Sequence, residues 1–352
     1  MSEAMDGTLV LAVVCAGVVA GVAPVLLRPM LRDLGVVDIP DARCSHDEPT
    51  IRGFGLAQLA GLAVGIGAIM LAYAGRETGA GYGVDDRWPL FVIGCAASAA
   101  SVLGFFDDVR GRRGLNTGVR LVAQVIIGCA VGASCLLLDG GAWWIILFSG
   151  IMVCGYINVT NFMDGVNGIS GLHGLVVGLC FAGVGALTNT QWLVSVGCFI
   201  AVVFVVFLPW NFRRPGAFLG DSGSYLLGAG IMSAVVVAVS AGLPIVPLLA
   251  PLAIYLSDSI VTMVRRMMRK EAFWKAHRSH VYQQLTDIGL GHLSVAMIVT
   301  GFTVVTGVVG LVSLVGWLPW WGAVVGVLVV CVVYLNLPSL LSRQGAGAKI
   351  GV

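Results

Sequence analysis

Four carboxylates stand where a largely apolar chain does not place them casually. Asp107 and Asp108 end one apolar stretch, in Gly-Phe-Phe-Asp-Asp-Val-Arg. Asp164 ends another, in Asn-Val-Thr-Asn-Phe-Met-Asp-Gly-Val-Asn-Gly. Asp221 precedes a third, in Phe-Leu-Gly-Asp-Ser-Gly-Ser. If these ends face the same side, the acids meet in one pocket. Acids without matching cations suggest a divalent metal, and Mg²⁺ binds through one or two carboxylates plus substrate phosphates. The chemistry this points to is phosphoryl transfer, in which metal and basic groups neutralise charge on a diphosphate.

Each motif also has a plainer reading. Asp107 and Asp108 point about 100° apart on a helix, so they would not share one role; with Arg110 and Arg112 nearby they could be only a solvated helix end. Asn158, Asn161 and Asp164 recur at a spacing of three and share a helix face. Gly165 and Gly168 around Asn167 permit tight turns, and an ordinary Asn/Gly turn is the alternative. Asp221 lies between glycines at a helix start that Ser222 could cap and where a phosphate could sit. Simple capping by Asp221 is the alternative. Asp258, Thr262 and Arg265 or Arg266 share a face of a later stretch, either as a functional intramembrane acid or as an anchoring ion pair. Arg265, Arg266, Arg269, Lys270, Lys275, His277, Arg278 and His280 form a basic segment. It reads as a phosphate clamp opposite the acids or as a lipid-surface anchor. His277-x-x-His280 alone is a weak zinc signal.

The elements that must position these residues follow from composition. Of 352 residues 58% are hydrophobic and only 11% charged, against about a quarter charged in a soluble domain. The reading is an all-α polytopic membrane protein. A span needs about 20 apolar residues, and eleven are predicted: 8–27, 54–74, 89–106, 121–138, 143–157, 169–187, 192–209, 224–241, 244–264, 293–314 and 319–337. Residues 1–352 form a single membrane domain, with no repeat, linker or soluble domain expected. The 49 glycines suit close helix packing. No Lys or Arg precedes the first span, which argues against a secretory signal peptide. Nine cysteines form no Cys-x-x-Cys pair, and all but Cys44 lie in apolar stretches, as small buried hydrophobes do. Eighteen of the 20 Lys and Arg fall in one alternate set of loops, and Arg76 and Arg87 in the other. By the preference of basic residues for the cytoplasm, the N-terminus is outside and the C-terminus cytoplasmic. The same assignment puts all four acids at the cytoplasmic face. The net charge of +2 implies no nucleic-acid partner.

The motifs resemble the polyprenyl-phosphate N-acetylhexosamine-1-phosphate transferase family, which includes the phospho-N-acetylmuramoyl-pentapeptide translocases. The resemblance runs from about residue 38 to 285. It rests on Asp38-x-Pro40-x-x-Arg43-x-x-His46-x-x-Pro49-Thr50-x-Arg52-Gly53, the Asp-Asp pair, Asn-x-x-Asn-x-x-Asp-Gly, Asn211 to Ser224, and Ala276-His277-Arg278-Ser279-His280. It implies attack of undecaprenyl phosphate on a UDP-N-acetyl amino sugar with release of UMP, at the bacterial inner membrane. Mg²⁺ is the implied cofactor, with Mn²⁺ as substitute. Asp221 would be its main ligand. Asp107 would face the lipid phosphate with Asp108 beside it, and Asp164 would lie in the nucleotide site. Asn211 and Phe218 would hold the uridine. Asn158, Asn161, Asn167, His46, Arg52, Arg265, His277, Arg278 and His280 join the expected substrate-binding set, and a homodimer is among the expected partners. The last motif looks like that of O-antigen-initiating enzymes. Asn167 stands where many relatives have a second Asp, Phe54 interrupts a Gly-Gly pair, and His46 lies near where translocases carry Lys. Rival readings are the same chemistry in another pathway (teichoic acid, arabinogalactan, enterobacterial common antigen or peptidoglycan precursor), a secondary transporter, or a scaffold.

Overall fold

The computed structural model describes residues 2–39, 49–72, 74, 84–111, 114–139, 142–213, 216–271 and 278–348. Among the described residues, eleven helical segments are long and apolar enough to cross a membrane, as expected from the run of apolar windows. They are α1 (Ser2–Asp33), α2 (Gly55–Ala72), α3 (Val84–Val109), α4 (Thr117–Asp139), α5 (Trp144–Met163), α6 (Ile169–Leu187), α7 (Gln191–Val205) with the short α8 (Leu208–Asn211), α9 (Gly220–Ser240), a broken ninth span, α13 (His292–Leu314) and α14 (Trp320–Ala348). The ninth span is α10 (Ile245–Leu249), a 3₁₀ turn (Ala250–Leu252) and α11 (Ala253–Met268). Pro247 and Pro251 remove two amide donors there, so the helix cannot continue as one rod.

Two boundaries matter for the site. The fifth span runs on to Met163 rather than ending near 157, so Asn158 and Asn161 stand on the helix itself. The eighth begins at Gly220 rather than 224, which makes Asp221 its second residue.

The helix α9 is the hub. Its apolar window is 94% buried, against 17% for α14, and α3, α5, α2 and α4 pack around it. Small residues make the approach possible: a Cβ at Gly104 of α3 would fall on the Asp221 carbonyl, and one at Gly55 of α2 on the Gly223 backbone. Backbones this close gain van der Waals contact that larger side chains would prevent. At the periphery, α14 turns Val325, Leu328, Val329 and Val332 outward, as a lipid-facing helix must.

Amid the helices, the described residues form one small sheet. Strands β1 (Val37–Asp38) and β2 (Thr50–Ile51) pair antiparallel, and Ile51 bridges to Ala217 in parallel. Phe218 donates its amide to the Ile51 carbonyl at 3.0 Å, and Gly55 donates to Leu219 at 2.9 Å. The segment entering α2 is thereby laced to the segment entering α9. Another short helix, α12 (Val281–Asp287), folds within the expected loop between the ninth and tenth spans.

Candidate active site

The ends of α3, α5 and α9 meet at this laced segment. Asp108, near the end of α3, is fully buried. Its two carboxylate oxygens accept the amides of Asp221 and Ser222, each at 3.0 Å. Those first amides of α9 have no partner within their own helix. A carboxylate from a different helix therefore caps α9, at the end where the helix dipole favours negative charge. Arg52 donates from Nη2 to the Asp108 carbonyl at 3.1 Å, and its Nε lies 3.5 Å from the carboxylate. Gly220 makes the junction feasible. Its φ is +74°, and a Cβ there would meet the Asp108 carboxylate and the Gly53 amide.

Asp107 faces another way, as adjacent helix positions require. It accepts the Leu115 amide at 2.6 Å, Arg120 Nη1 at 3.0 Å and the Tyr225 hydroxyl at 3.1 Å. It ties α3, the turn into α4, α4 itself and α9 at one point.

Asp221 is held from the other side. Asn161 Nδ2 donates to its Oδ1 at 2.6 Å and to Ser224 Oγ at 3.2 Å. One turn on, Asp164 caps the C-terminus of α5 with φ −84° and ψ 46° and accepts Ser170 Oγ at 2.6 Å. Burial pushes the Asp164 carboxyl up to about 7; the Ser170 hydrogen bond opposes this and the Asp108 charge adds to it.

Asn161, Asp164 and Asp221 open on a cavity of about 360 Å³. Arg52 and Asp38 line it from the sheet, and Asn161, Asp164 and Asn167 from the end of α5 and the following loop. Asn211 comes from α8, Phe218 and Asp221 from the entry to α9, and Gln283 and His292 from α12 and the start of α13. Asn211 also has a structural task. Its carbonyl oxygen accepts the Gly168 amide and its Nδ2 donates to the Ala217 carbonyl at 2.8 Å. Asn167 uses its backbone amide toward His292 Nδ1 at 3.4 Å.

Other residues singled out by sequence sit elsewhere. Asp107, Asp108, Asn158, Arg265, Arg278 and His280 do not line the cavity. Asn158 bonds Gln124 Oε1 at 2.7 Å and the Cys154 carbonyl at 2.8 Å. Arg265 is exposed on α11, while Arg278 pairs with Asp287 at 2.8 Å. The buried His280 donates from Nδ1 to Asp258 at 3.0 Å. His46 and His277 lie outside the described residues. The site-residue set from sequence omitted Asp38, Gln283 and His292, as well as Arg120 and Tyr225 around Asp107. Asp38 opens a quoted motif and Gln283 follows His280 at capping-box spacing; His292 carries no such cue.

Among the described residues no three His, Cys, Asp or Glu side chains converge as a metal cage. Asp221 and Asp164, which both line the cavity, nonetheless suit a hard cation that takes one or two protein carboxylates and fills its shell from phosphate and water. Arg52, the cation beside them, is turned to Asp108.

This fold and site define a class: a multi-pass membrane protein whose helix ends carry an acid-lined cavity. Residues 90–239, which hold Asp107, Asp108, Asp164, Asn211 and Asp221, match the family described as glycosyl transferase family 4. Over 92% of its length the chain is 27% identical to a decaprenyl-phosphate N-acetylglucosaminephosphotransferase of Mycolicibacterium smegmatis, covering 86% of that protein. It is 25% identical to the "Probable undecaprenyl-phosphate N-acetylglucosaminyl 1-phosphate transferase" of Bacillus subtilis, over 85% of this chain and 83% of that one. It is 31% identical to a phospho-N-acetylmuramoyl-pentapeptide-transferase of Desulforudis audaxviator, over 44% of this chain and 55% of that one. These matches agree with the resemblance carried by the motifs, to the polyprenyl-phosphate sugar-phosphate transferases.

Proposed function

We propose that this protein transfers an N-acetylated amino-sugar 1-phosphate from a UDP-sugar to undecaprenyl phosphate or a close polyprenyl phosphate, giving a lipid diphosphate-sugar and UMP. The observation that carries this is the convergence of Asp221 and Asp164 on one cavity, with Asn161 bridging to Asp221. A phosphate monoester oxygen of the lipid attacks the sugar-bound phosphorus, and the bond to UMP breaks. The nucleophile needs no strong base, because a phosphate monoester is largely ionised near neutral pH (second pKa about 6).

Asp221 and, beside it, Asp164 would hold Mg²⁺, with Mn²⁺ as a substitute; bound there, the ion supplies charge neutralisation for the diphosphate. Asn161 fixes the Asp221 carboxylate by its 2.6 Å hydrogen bond. Asp108 acts as a positioning residue, since it holds the turn that carries Asp221. Asp164, Asn167, Asn211 and Phe218 form the nucleotide side, with Phe218 offering a ring face to the uracil. Arg120, fixed by Asp107 and close enough to bear on Asp221 electrostatically, marks the lipid-phosphate side. Acceptor lipid and donor nucleotide then approach Asp221 from different sides, as an in-line displacement requires.

We place the site at the cytoplasmic face of the bacterial inner membrane and the reaction at the first membrane step of a surface polysaccharide or cell-wall glycan. Relatives named for N-acetylglucosamine favour that sugar over its 6-deoxy analogues. A panel of UDP-N-acetyl sugars with decaprenyl and undecaprenyl phosphates, scored by UMP release from purified protein, tests this. UDP-N-acetylglucosamine should be turned over fastest; no release with any sugar in a folded preparation would overturn the reading.

A further inference from the structure

Asp258 is fully buried on α11, and its carboxylate is saturated with hydrogen bonds. Both oxygens accept the Val281 amide at 3.1 Å. Oδ1 also accepts His280 Nδ1 at 3.0 Å and Thr262 Oγ1 at 3.3 Å. Oδ2 accepts the hydroxyl of Tyr334, a fully buried residue of α14, at 2.8 Å. Sequence reading offered Asp258 a pairing with Arg265 or Arg266, but Arg265 is exposed and Arg266 reaches Glu271 at 3.5 Å.

What Asp258 holds is the start of α12. From there the contacts lead to the cavity. Tyr282 donates its hydroxyl to the Phe162 carbonyl at 2.9 Å, two residues before Asp164. Gln283 lines the cavity with both ends of its amide engaged: Oε1 accepts the His280 amide at 3.2 Å and Nε2 donates to the Tyr282 hydroxyl at 3.2 Å. The fit is close, since a Cβ on Gly165 would fall on the Tyr282 phenol. A seven-residue helix does not hold its place by its own hydrogen bonds, because helix nucleation is costly. Its position is therefore set by its anchors.

We infer that Tyr334 and Asp258 are positioning residues for the donor side of the site: through the Val281 amide and His280 they hold α12 so that Gln283 lines the cavity while Tyr282 packs against Gly165, next to Asp164. The last helix, none of whose described residues lines the cavity, thus acts on it at a distance. The functional part of this inference rests on the transferase reading, whereas the anchoring of α12 does not.

Two measurements separate them. Hydrogen exchange on the full-length protein reads the anchor without activity. Tyr334→Phe keeps the ring and its edge contact with Phe302, at 5.5 Å between centroids, and removes only the hydroxyl. In this variant, and in Asp258→Asn, amides 281–287 should exchange at least about tenfold faster while those of α9 stay at the wild-type rate. Kinetics reads the consequence: in Tyr334→Phe, KM for the UDP-sugar should rise about tenfold, with kcat and KM for the polyprenyl phosphate within about twofold of wild type. Unchanged exchange over 281–287, a uniform rise over all helices, or a KM effect shared equally by both substrates would each overturn the inference. If wild-type protein releases no UMP, the transferase reading fails, and the exchange result still decides the anchor.

Discussion

Asp107 and Asp108 show how neighbouring residues of one type divide their work. The 100° step between them on α3 sends one to Arg120 and Tyr225 and the other under the start of α9. Replacing Asp108 by Asn keeps its shape but leaves one oxygen to serve two amides. We expect turnover to fall about 10–100-fold, as for a group that orients a metal ligand, with substrate KM values little changed; a wild-type rate would remove Asp108 from the mechanism. Asp164 supplies a pH prediction. Its carboxyl sits at about 7 in the folded protein against about 3.9 unfolded, so the native state holds the proton more tightly. The stability it contributes is complete below about pH 4 and lost as pH rises through about 7. The melting temperature of metal-free protein should therefore fall between pH 6 and pH 8, and Asp164→Asn should flatten that fall; an unchanged slope would contradict the assignment. That these acids gather was legible in the sequence, because acids are conspicuous at the ends of apolar windows. The cap that Asp108 makes was not, since it joins residues 113 positions apart.

At the scale of elements, the site depends on backbones that approach without side chains between them. Gly220→Ala would place a Cβ against the Asp108 carboxylate at a positive φ, which costs about 1–3 kcal/mol in backbone strain alone. The variant should melt several degrees lower and lose most of its activity; a fully active Gly220→Ala would show that the α3–α9 junction tolerates movement. The eleven spans were legible because each carries an apolar run of sufficient length; the end of the fifth, expected near 157, runs on to Met163, which keeps Asn158 and Asn161 on the helix face expected of them. The paired strands, two residues each, were not, because such short segments carry no periodicity. Nor was α12, whose seven residues hold by anchors from α5 and α11.

Across the whole molecule, the ends of α3, α5 and α9 meet at one end of the bundle. Charge sorting predicts that this end is cytoplasmic. Cysteines placed in 75–88 should then be labelled from outside intact cells and cysteines in 265–292 should not; the reverse pattern would invert the topology. A transporter would set its ionisable groups for alternating access near the midplane, whereas Asp164 and Asp221 in the cavity stand at helix ends, and the buried Asp258 is saturated by an anchor.

The central claim concerns which bond of the donor breaks, and the nucleotide product reports it. Purified protein given a UDP-N-acetyl amino sugar, polyprenyl phosphate and Mg²⁺ should yield UMP and lipid diphosphate-sugar in equal amounts. The yield should vanish with chelator and fall at least about 10²–10³-fold in Asp221→Asn. UDP as the product, or UMP released undiminished by Asp221→Asn, would contradict the account.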